Sequence, residues 1–203
     1  LAAVRAYEID NLCIEISAGE PPAGNGSSDV FVEMIEQAGV VEQDAHVSIR
    51  KITQPLFLTE GDIHIVGLPS DEYRISCTLH YPQARMVGSQ YYSTVLTSEN
   101  FKRELAPCRT FSLYEEVSHL IDRGLIKGAS LENGVVVMDD AIVSKGGLYF
   151  PNEMVRHKML DLIGDLSLIG INFTGHIIAI KPGHSTNFRF AQKLYHHLSL
   201  ENT

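Results

Sequence analysis

Apolar and polar residues alternate along four stretches between His46 and Tyr81, with the two-residue period of strands that bury one face. The four stretches are HVSIRKI, PLFLTEG, IHIVGLP and YRISCTLHY. The turn signals TEGD and PSDE lie between them at the spacing of hairpins. The pattern predicts an antiparallel sheet of four strands. Later in the chain, GVVVMDDAIV predicts a pair of strands with a turn near MDD, and GHIIAIK predicts one more strand.

Helical periodicity marks the other stretches of this region. A helix is predicted over SENFKRELAP, capped by Ser98, and another over SLYEEVSHLIDRG, which Gly124 ends. A third covers MVRHKMLDLIGDL, and the last, FRFAQKLYHHL, follows a Pro-Gly turn. Strands first, with helices laid over one face, indicate an α+β fold: a two-layer sheet-and-helix domain over residues 46–203.

Residues 1–42 have a separate pattern. LAAVRAYEID predicts an amphipathic helix, NLCIEIS a strand, and VFVEMIEQAGV a helix capped by Ser28 or Asp29 and ended by Gly39. These elements are too few to form a domain alone, so we expect the C-terminal part of a similar first α+β domain. No cap residue and no initiator Met precede the first helix, so we also expect an N-terminal truncation inside that helix.

Composition limits the class of protein. Of 203 residues, 44% are hydrophobic, which is typical of a folded globular chain. The formal net charge of −9, without a cluster of Lys and Arg, disfavours a nucleic-acid-binding protein. No apolar run reaches the ~18 residues that span a bilayer, and Cys13, Cys77 and Cys108 have no paired spacing, which favours reduced thiols. We expect a cytoplasmic protein with no nucleic-acid partner and no membrane span, and a monomer is the working expectation.

The helix MVRHKMLDLIGDL carries polar residues opposite its apolar stripe. At ~100° per residue, Asp161 lies about 40° from His157 around the helix, and Gly164 leaves room beside them. The apolar stripe on the far side consists of Val155, Met159, Leu162 and Leu166. Imidazole and carboxylate at this spacing are candidate ligands for Zn²⁺, with a third ligand from elsewhere, and Fe²⁺ accepts the same set. The alternative is an exposed pair that stabilises the helix by roughly a few tenths of a kcal/mol.

Three more candidates flank this pair. Taken alone, Lys158 is a solvated charge and Asp165 a surface acid, although Asp165 could orient a ligand from behind. KPGHSTN places His184 in a loop between a strand and a helix, where functional residues are common. A helix N-terminus disfavours a cationic imidazole, so a protonated His184 would need a nearby carboxylate. The alternative is an ordinary loop histidine.

CRTFSL and GLIKGASL give weaker signals. Thr110 could donate to an oxyanion, although Thr at a helix boundary is more often a cap. Phe111 is either a core residue or a pocket wall. The small and apolar residues of GLIKGASL, among them Ile126, Gly128 and Ser130, could line an apolar passage or form a flexible turn.

Four of these stretches together resemble one known family. CRTFSL, GLIKGAS, GLYFPNEMVRHKMLDLIGDL and GHSTN, in this order and at these separations, resemble the UDP-3-O-acyl-N-acetylglucosamine deacetylases of the lipid A pathway in Gram-negative-type bacteria. Residues 9–40 resemble the end of that family's first domain, so the resemblance covers nearly the whole chain. It implies two α+β domains, each a sheet under paired helices, with the active site between them.

The resemblance implies a zinc-dependent amidase that removes the acetyl group from the 2-amine of the sugar. It assigns His157 and Asp161 as zinc ligands, Lys158 to substrate binding, and Asp165 to the shell behind the site. It assigns to His184 the stabilisation of the oxyanion and the protonation of the leaving amine.

The same resemblance assigns the weaker candidates. Thr110 would donate to the tetrahedral intermediate, and Phe111 would contact the substrate. Residues of the LIKGASL stretch would wall the passage for the fatty acyl chain, and they include Ile126, Gly128 and Ser130.

One part of the family's site is expected outside the sequence. In the family, a general-base glutamate and a third zinc-ligand histidine form a Glu-His pair directly before the helix that opens this chain. A chain that begins at Leu1 is therefore expected to lack one ligand and the base. Two alternatives stay open: a non-catalytic deacetylase-like module that binds a nucleotide-sugar or an acyl chain, and a chain fused to an acyl-carrier-protein dehydratase.

Overall fold

The computed structural model of the chain describes residues 1–116, 118 and 134–200. Its helices are α1 (Ala2–Ala6), α2 (Asp29–Ala38), α3 (Ser98–Asn100) with a π-helical continuation over Phe101–Leu105, α4 (Glu153–Ser167) and α5 (His184–Leu200). Its strands are β1 (Arg50–Lys51), β2 (Leu56–Glu60), β3 (Ile63–Leu68), β4 (Tyr73–Tyr81), β5 (Gly88–Val95), β6 (Phe111–Leu113), β7 (Val135–Val137), β8 (Ile142–Val143) and β9 (Phe173–Ile180). The predicted α+β class is confirmed.

The main sheet is mixed, and the prediction of an antiparallel sheet was wrong. Its strands lie in the order β2-β3-β9-β4-β5, and β1 also pairs with β9. Strand β9 runs antiparallel to β3 but parallel to β4 and β1. It comes from the far end of the described chain and inserts between two strands that are neighbours in sequence. Hydrophobic alternation does not indicate such an insertion, because it reports the burial of each strand and not its neighbours.

Strand positions were predicted well where one face is apolar. β2, β3 and β4 match three of the four predicted stretches, whereas HVSIRKI forms only the two-residue β1. Strand β5, GSQYYSTV, was not predicted. Most of its residues are polar and partly exposed, so no apolar face marks it in the sequence.

Gly175 allows the chain around β1 to approach β9 closely. A Cβ atom at Gly175 would lie 2.6 Å from Cδ1 and 2.9 Å from Cγ1 of Ile52, which is fully buried. Non-bonded carbon atoms prefer separations of about 3.5–4.0 Å. A residue without a side chain is therefore required where Ile52 fills the core.

Helices α4 and α5 pack on the main sheet. The predicted apolar stripe of α4 is fully buried, which confirms its role as the core-facing side. Other buried side chains of this layer are Met154, Ile163, Phe190, Leu194, Leu198, Ile65, Ile75 and Ile177. Helix α4 is buried on nearly every side, because α1 and the segment before β6 also contact it.

A second sheet lies beside this layer. β6 runs parallel to β7, and β7 runs antiparallel to β8. The β7–β8 pair confirms the two strands predicted in GVVVMDDAIV. In the helix predicted over SLYEEVSHLIDRG, Ser112 and Leu113 belong instead to β6, and residues 114–116 and 118 are helical. The other residues of this prediction lie outside the described residues.

The N-terminal residues pack against the remaining described chain. Ala2, Ala3 and Ala6 of α1 are buried. A Cβ atom at Gly164 of α4 would lie 3.7 Å from the backbone nitrogen of Ala2. Gly164, which was expected to leave room beside His157 and Asp161, therefore faces α1. The division of the chain into residues 1–42 and 46–203 stays a prediction.

The strand predicted over NLCIEIS is wrong for this structure. Leu12, Ile14 and Ile16 are 53%, 62% and 49% exposed, and residues 11–16 have no regular structure. A strand needs a neighbouring strand as its backbone hydrogen-bond partner, and no described strand pairs with this stretch. The alternation of the sequence is real, but alternation alone does not supply a pairing partner.

Three helix ends differ in detail from the prediction. Helix α2 ends at Gly39, with φ of 78°, as expected, although Ser28 makes no side-chain capping bond. Helix α3 is capped by Thr97, whose side chain accepts from the backbone nitrogen of Asn100, and not by Ser98. Helix α5 begins at His184, four residues before the predicted start.

Cys13 is exposed, Cys77 and Cys108 are buried, and none of them forms a disulfide. Among the helices of the described residues, none has the length and apolar character to cross a membrane.

Candidate active site

The backbone holds His157 in one orientation. The side chain of His157 is 8% exposed, and its Nδ1 lies 2.9 Å from the carbonyl oxygen of Cys108. Since a carbonyl oxygen can only accept a hydrogen bond, Nδ1 carries the hydrogen and donates it. The second ring nitrogen, Nε2, then faces away from this contact and is free for another partner.

Asp161 lies one helical turn beyond His157. Its Oδ1 is 3.3 Å from His157 Nε2, and its Oδ2 accepts a hydrogen bond of 2.9 Å from Lys158 Nζ. Burial acts to raise the pKa of Asp161, but the hydrogen bond and charge of His157, together with Lys158, lower this pKa to about 2. Asp161 is therefore a carboxylate at neutral pH.

The separation of these two groups fits two ligands of one metal ion. Ligand atoms ~2.0–2.1 Å from zinc in a tetrahedral arrangement lie roughly 3.3–3.4 Å apart, and Nε2 and Oδ1 are 3.3 Å apart. A neutral His157 that donates through Nδ1 has a lone pair on Nε2, and this lone pair faces a carboxylate oxygen. Two acceptors at this distance need a positive charge between them, which is either a metal ion or a proton on Nε2.

The described residues provide two ligands and no more at this place. Within residues 1–116, 118 and 134–200, no group of three or more His, Cys, Asp and Glu side chains could hold a metal ion. Catalytic zinc sites commonly have three protein ligands. A zinc ion on His157 and Asp161 would therefore need a further protein ligand from outside the described residues.

His184 is the first residue of α5, so its prediction as a loop residue was wrong. Its Nδ1 donates a hydrogen bond of 2.9 Å to Oδ2 of Asp165, and its Nε2 lies 4.0 Å from Oδ2 of Asp161. The side chain is 70% exposed, so Nε2 is accessible to a small molecule. Asp165 supplies the carboxylate that a protonated imidazole needs at a helix N-terminus.

Asn187 belongs to the GHSTN stretch but was assigned no role from the sequence. This residue is 1% exposed, and its Nδ2 donates a hydrogen bond of 2.9 Å to Asp165 Oδ2. Its Oδ1 is buried and has no hydrogen-bond partner in the described chain. Asn187 lies three residues after His184, which places both on one side of a helix that begins at His184. The missed helix start is therefore the reason that Asn187 was missed.

Lys158 contacts this group through Asp161, Phe111 lies near Lys158, and Thr110 directly precedes Phe111. Lys158 Nζ is 5.6 Å from the centre of the Phe111 ring. The backbone nitrogen of Thr110 donates to Gly26, and its carbonyl oxygen accepts from Val135, both at 2.8 Å. Thr110 is exposed, so its backbone is fixed while its side chain is accessible. The predicted passage residues Ile126, Gly128 and Ser130 lie outside the described residues.

A row of polar contacts joins four of the predicted residues. His157 contacts Asp161 at 3.3 Å, Asp161 lies 4.0 Å from His184, and His184 contacts Asp165 at 2.9 Å. One end of the row presents two candidate metal ligands, and the other end presents an imidazole held by a carboxylate. This combination is suited to metal-assisted hydrolysis with a general acid.

Comparison with known proteins identifies the family. The family model described as UDP-3-O-acyl N-acetylglycosamine deacetylase matches residues 1–196. The chain belongs to this deacetylase family. The resemblance seen in the sequence motifs is thereby confirmed, and the matched range contains every residue of the polar row.

Curated relatives of the deacetylase family agree with this assignment. The UDP-3-O-acyl-N-acetylglucosamine deacetylase of Chlamydia pneumoniae is 52% identical over 200 residues, which cover 98% of this chain and 71% of the relative. The protein of the same name from Chlamydia felis is 49% identical over 198 residues, with the same two shares. That of Chlamydia caviae is 49% identical over 194 residues, covering 96% of this chain and 69% of the relative.

Proposed function

We propose that this protein is a zinc-dependent N-deacetylase that acts on UDP-3-O-acyl-N-acetylglucosamine in lipid A biosynthesis. The reaction hydrolyses the N-acetyl group and gives the free 2-amine and acetate. Membership of the deacetylase family supports the reaction. The row His157, Asp161, His184 and Asp165 is the observation that carries the assignment of residues.

In this proposal, His157 and Asp161 hold the zinc ion, and Fe²⁺ is the alternative ion in the cell. When bound, zinc polarises the amide carbonyl and lowers the pKa of a water molecule toward ~7. The hydrogen bond from His157 to Cys108 keeps the hydrogen on Nδ1, which leaves Nε2 for ligation. We assign the third ligand and the general base to a Glu-His pair, which the resemblance implies for the segment before the opening helix.

His184 acts on the leaving group. Hydrolysis forms a bond between the water oxygen and the carbonyl carbon, breaks the carbon–nitrogen bond, and requires a proton on the departing amine. Asp165 binds Nδ1–H, so a protonated His184 presents its Nε2–H on the side of Asp161. The Nε2–H of His184 and the Thr110 hydroxyl first donate hydrogen bonds to the oxyanion. His184 then transfers its Nε2 proton to the departing amine.

Lys158 and Phe111 contact the substrate in this proposal. The ammonium of Lys158 lies between Asp161 and the Phe111 ring, which places a positive charge beside the reacting centre. Ile126, Gly128 and Ser130 are proposed to line the acyl passage on the strength of the resemblance. A monomer in the cytoplasm is also part of the proposal, and the unpaired cysteines support that compartment.

Acetate release from UDP-3-O-acyl-N-acetylglucosamine tests the proposal. The assay uses a polypeptide extended upstream to include the Glu-His pair that the resemblance implies. His184→Ala should lower kcat by about 10²–10⁴-fold, because it removes the general acid. His80→Ala is the matched control. His80 is an exposed histidine on β4, and within the described chain its side chain forms one hydrogen bond, of 2.8 Å, with Ser89.

Two results would contradict the proposal. An extended wild-type polypeptide that releases no acetate but binds the substrate would favour the non-catalytic binding module. A His184→Ala variant that retains the rate of His80→Ala would remove His184 from the mechanism.

A further inference from the structure

A buried ion pair lies directly behind the candidate ligand His157. The side chains of Arg109 and Glu153 are 4% and 0% exposed. Oε1 of Glu153 accepts from the backbone nitrogen and from Nε of Arg109, each at 3.0 Å. Oε2 accepts from Arg109 Nη2 at 3.3 Å and from the backbone nitrogen of Tyr149 at 2.7 Å.

The guanidinium of Arg109 also fixes the chain that leads into α4. Its Nη1 donates to the carbonyl oxygen of Lys145 at 2.9 Å, and its Nη2 donates to that of Gly147 at 2.5 Å. The centre of the Tyr149 ring lies 4.5 Å from Cζ of Arg109. Both charges are therefore surrounded by hydrogen-bond partners, as buried charges need to be.

The pair joins the two segments that meet at His157. Arg109 directly follows Cys108, whose carbonyl oxygen accepts from His157 Nδ1. Glu153 is the first residue of α4 and lies four residues, or about one turn, before His157. The pair therefore fixes the donor segment and the acceptor segment of the hydrogen bond between His157 and Cys108 relative to each other.

We propose that Arg109 and Glu153 are positioning residues for His157. Their ion pair holds the Cys108 carbonyl against Nδ1, so that Nδ1 keeps its hydrogen and Nε2 is directed toward Asp161. The inference rests on the proposed function of His157 as a zinc ligand. Hydrogen-bond partners of this kind commonly fix the tautomer and ring orientation of ligand histidines.

Stability alone does not account for a charged pair at this place. Removing two charges from water is costly, and well-packed apolar residues of similar volume are often as stabilising as a buried pair. Apolar residues would fill the same volume, but they would not bind the backbone of Arg109, Lys145, Gly147 and Tyr149 in fixed directions. These directional hydrogen bonds of the Arg109–Glu153 pair are needed to hold the Cys108 carbonyl in position.

Two measurements on the upstream-extended polypeptide test this inference. Nitrogen-15 NMR of the metal-free protein identifies which ring nitrogen of His157 carries the hydrogen, with His157→Ala used to assign the signal. Zinc titration gives the dissociation constant. The variants are Glu153→Gln, which removes the negative charge, and Arg109→Lys, which keeps the positive charge but loses the forked contacts.

Leu198→Ala is the control for lost stability. Leu198 is fully buried near the end of α5, and its truncation leaves a cavity without touching Cys108 or His157. Wild type and Leu198→Ala should both show the hydrogen on Nδ1 and the same zinc affinity. Glu153→Gln should leave part of the His157 population without a hydrogen on Nδ1 and weaken zinc binding by about 10- to 100-fold. Arg109→Lys should change the hydrogen position on His157 and the zinc affinity in the same direction as Glu153→Gln, but to a smaller extent.

The inference is overturned if Nδ1 of His157 carries no hydrogen in the wild type. It is also overturned if Glu153→Gln lowers only the melting temperature, or if Leu198→Ala reproduces its effects. Should Glu153→Gln not fold, Arg109→Lys decides by the same two quantities. A wild-type protein that binds no zinc would refute the proposed function, whereas the tautomer of His157 would still decide whether the ion pair positions it.

Discussion

Asn187 donates a hydrogen bond of 2.9 Å to Oδ2 of Asp165, the same oxygen that accepts from Nδ1 of His184. Two donors on one carboxylate oxygen restrict the rotation of that carboxylate. Asn187 is almost fully buried, so water does not replace it easily. The orientation of His184 therefore depends on a residue that contacts neither His184 nor the candidate metal ligands through a described hydrogen bond.

Replacement of Asn187 by Ala should impair catalysis through His184. We expect kcat to fall by roughly 10-fold, with a smaller change in KM, because the Asp165 carboxylate loses one of its two donors. Steady-state kinetics on the upstream-extended polypeptide measures both constants. Gln192→Ala removes an exposed amide from the same helix and should leave kcat unchanged. Equal kinetics for the two variants would show that Asn187 does not act on the site.

The ion pair between Glu104 and Arg156 should make stability depend on pH. The hydrogen bond from Arg156, followed by that from Arg103, lowers the pKa of Glu104 in the folded protein. A carboxyl with a lowered folded pKa contributes stability above its unfolded pKa of ~4.3, and this contribution is lost as the pH falls through the folded pKa. Glu104→Gln lacks this contribution. The free energy of unfolding of the wild type should therefore exceed that of Glu104→Gln by about 1–3 kcal/mol at pH 7 and by less near pH 3.5.

Urea unfolding at the two pH values measures that difference. Glu36→Gln is the comparison, because the pair between Glu36 and Lys102 is more exposed and solvent screens it. The difference in unfolding free energy between wild type and Glu36→Gln should change much less between the two pH values. A gap between wild type and Glu104→Gln that is the same at both pH values would contradict the assignment.

Two leucines in or next to the C-terminal half of α4 should differ in how much their truncation destabilises the protein. Leu162 is fully buried, whereas Leu168, directly after α4, is 59% exposed. Leu162→Ala should lower the free energy of unfolding by about 2–5 kcal/mol, and Leu168→Ala should change it by less than about 0.5 kcal/mol. Denaturant unfolding of both variants is the measurement, and similar losses would mean that α4 buries a different face.

Gly175 should not tolerate a methyl group. Gly175→Ala would place a carbon atom 2.6 Å from Cδ1 of Ile52, so we expect a loss of about 1–3 kcal/mol from overpacking. Gly19→Ala is the control, since a Cβ at Gly19 would meet no atom within 4 Å. The double variant Gly175→Ala with Ile52→Ala should show a smaller combined loss than the sum of the two single losses. Strict additivity would contradict the contact.

The residues that combine a strong periodicity with a chemical motif could be predicted from the sequence. The stripe opposite His157 and Asp161 identified α4, and the fixed geometry of a helix then placed these two side chains together. Whether Asp165 reaches His184 depends on how α5 packs against α4, and no local pattern specifies that. The position of β9 between β3 and β4 was missed for a similar reason, because pairing partners far apart in sequence leave no periodic signal.

The carbonyl of Cys108 and the side chain of Asn187 illustrate a second limit. A backbone carbonyl has the same chemistry in every residue, so the sequence could not indicate that Cys108 accepts from His157. Asn187 became a candidate only when the structure showed that α5 begins at His184.

Zinc content per chain, measured by elemental analysis on the upstream-extended polypeptide, decides whether His157 and Asp161 bind a metal ion. We expect about one zinc ion in the wild type and in His80→Ala, and a loss of that ion in His157→Ala and in Asp161→Asn. A wild-type protein without bound metal, or a His157→Ala variant that retains as much zinc as the wild type, would contradict it. In that case His157 and Asp161 would form an ion pair with each other.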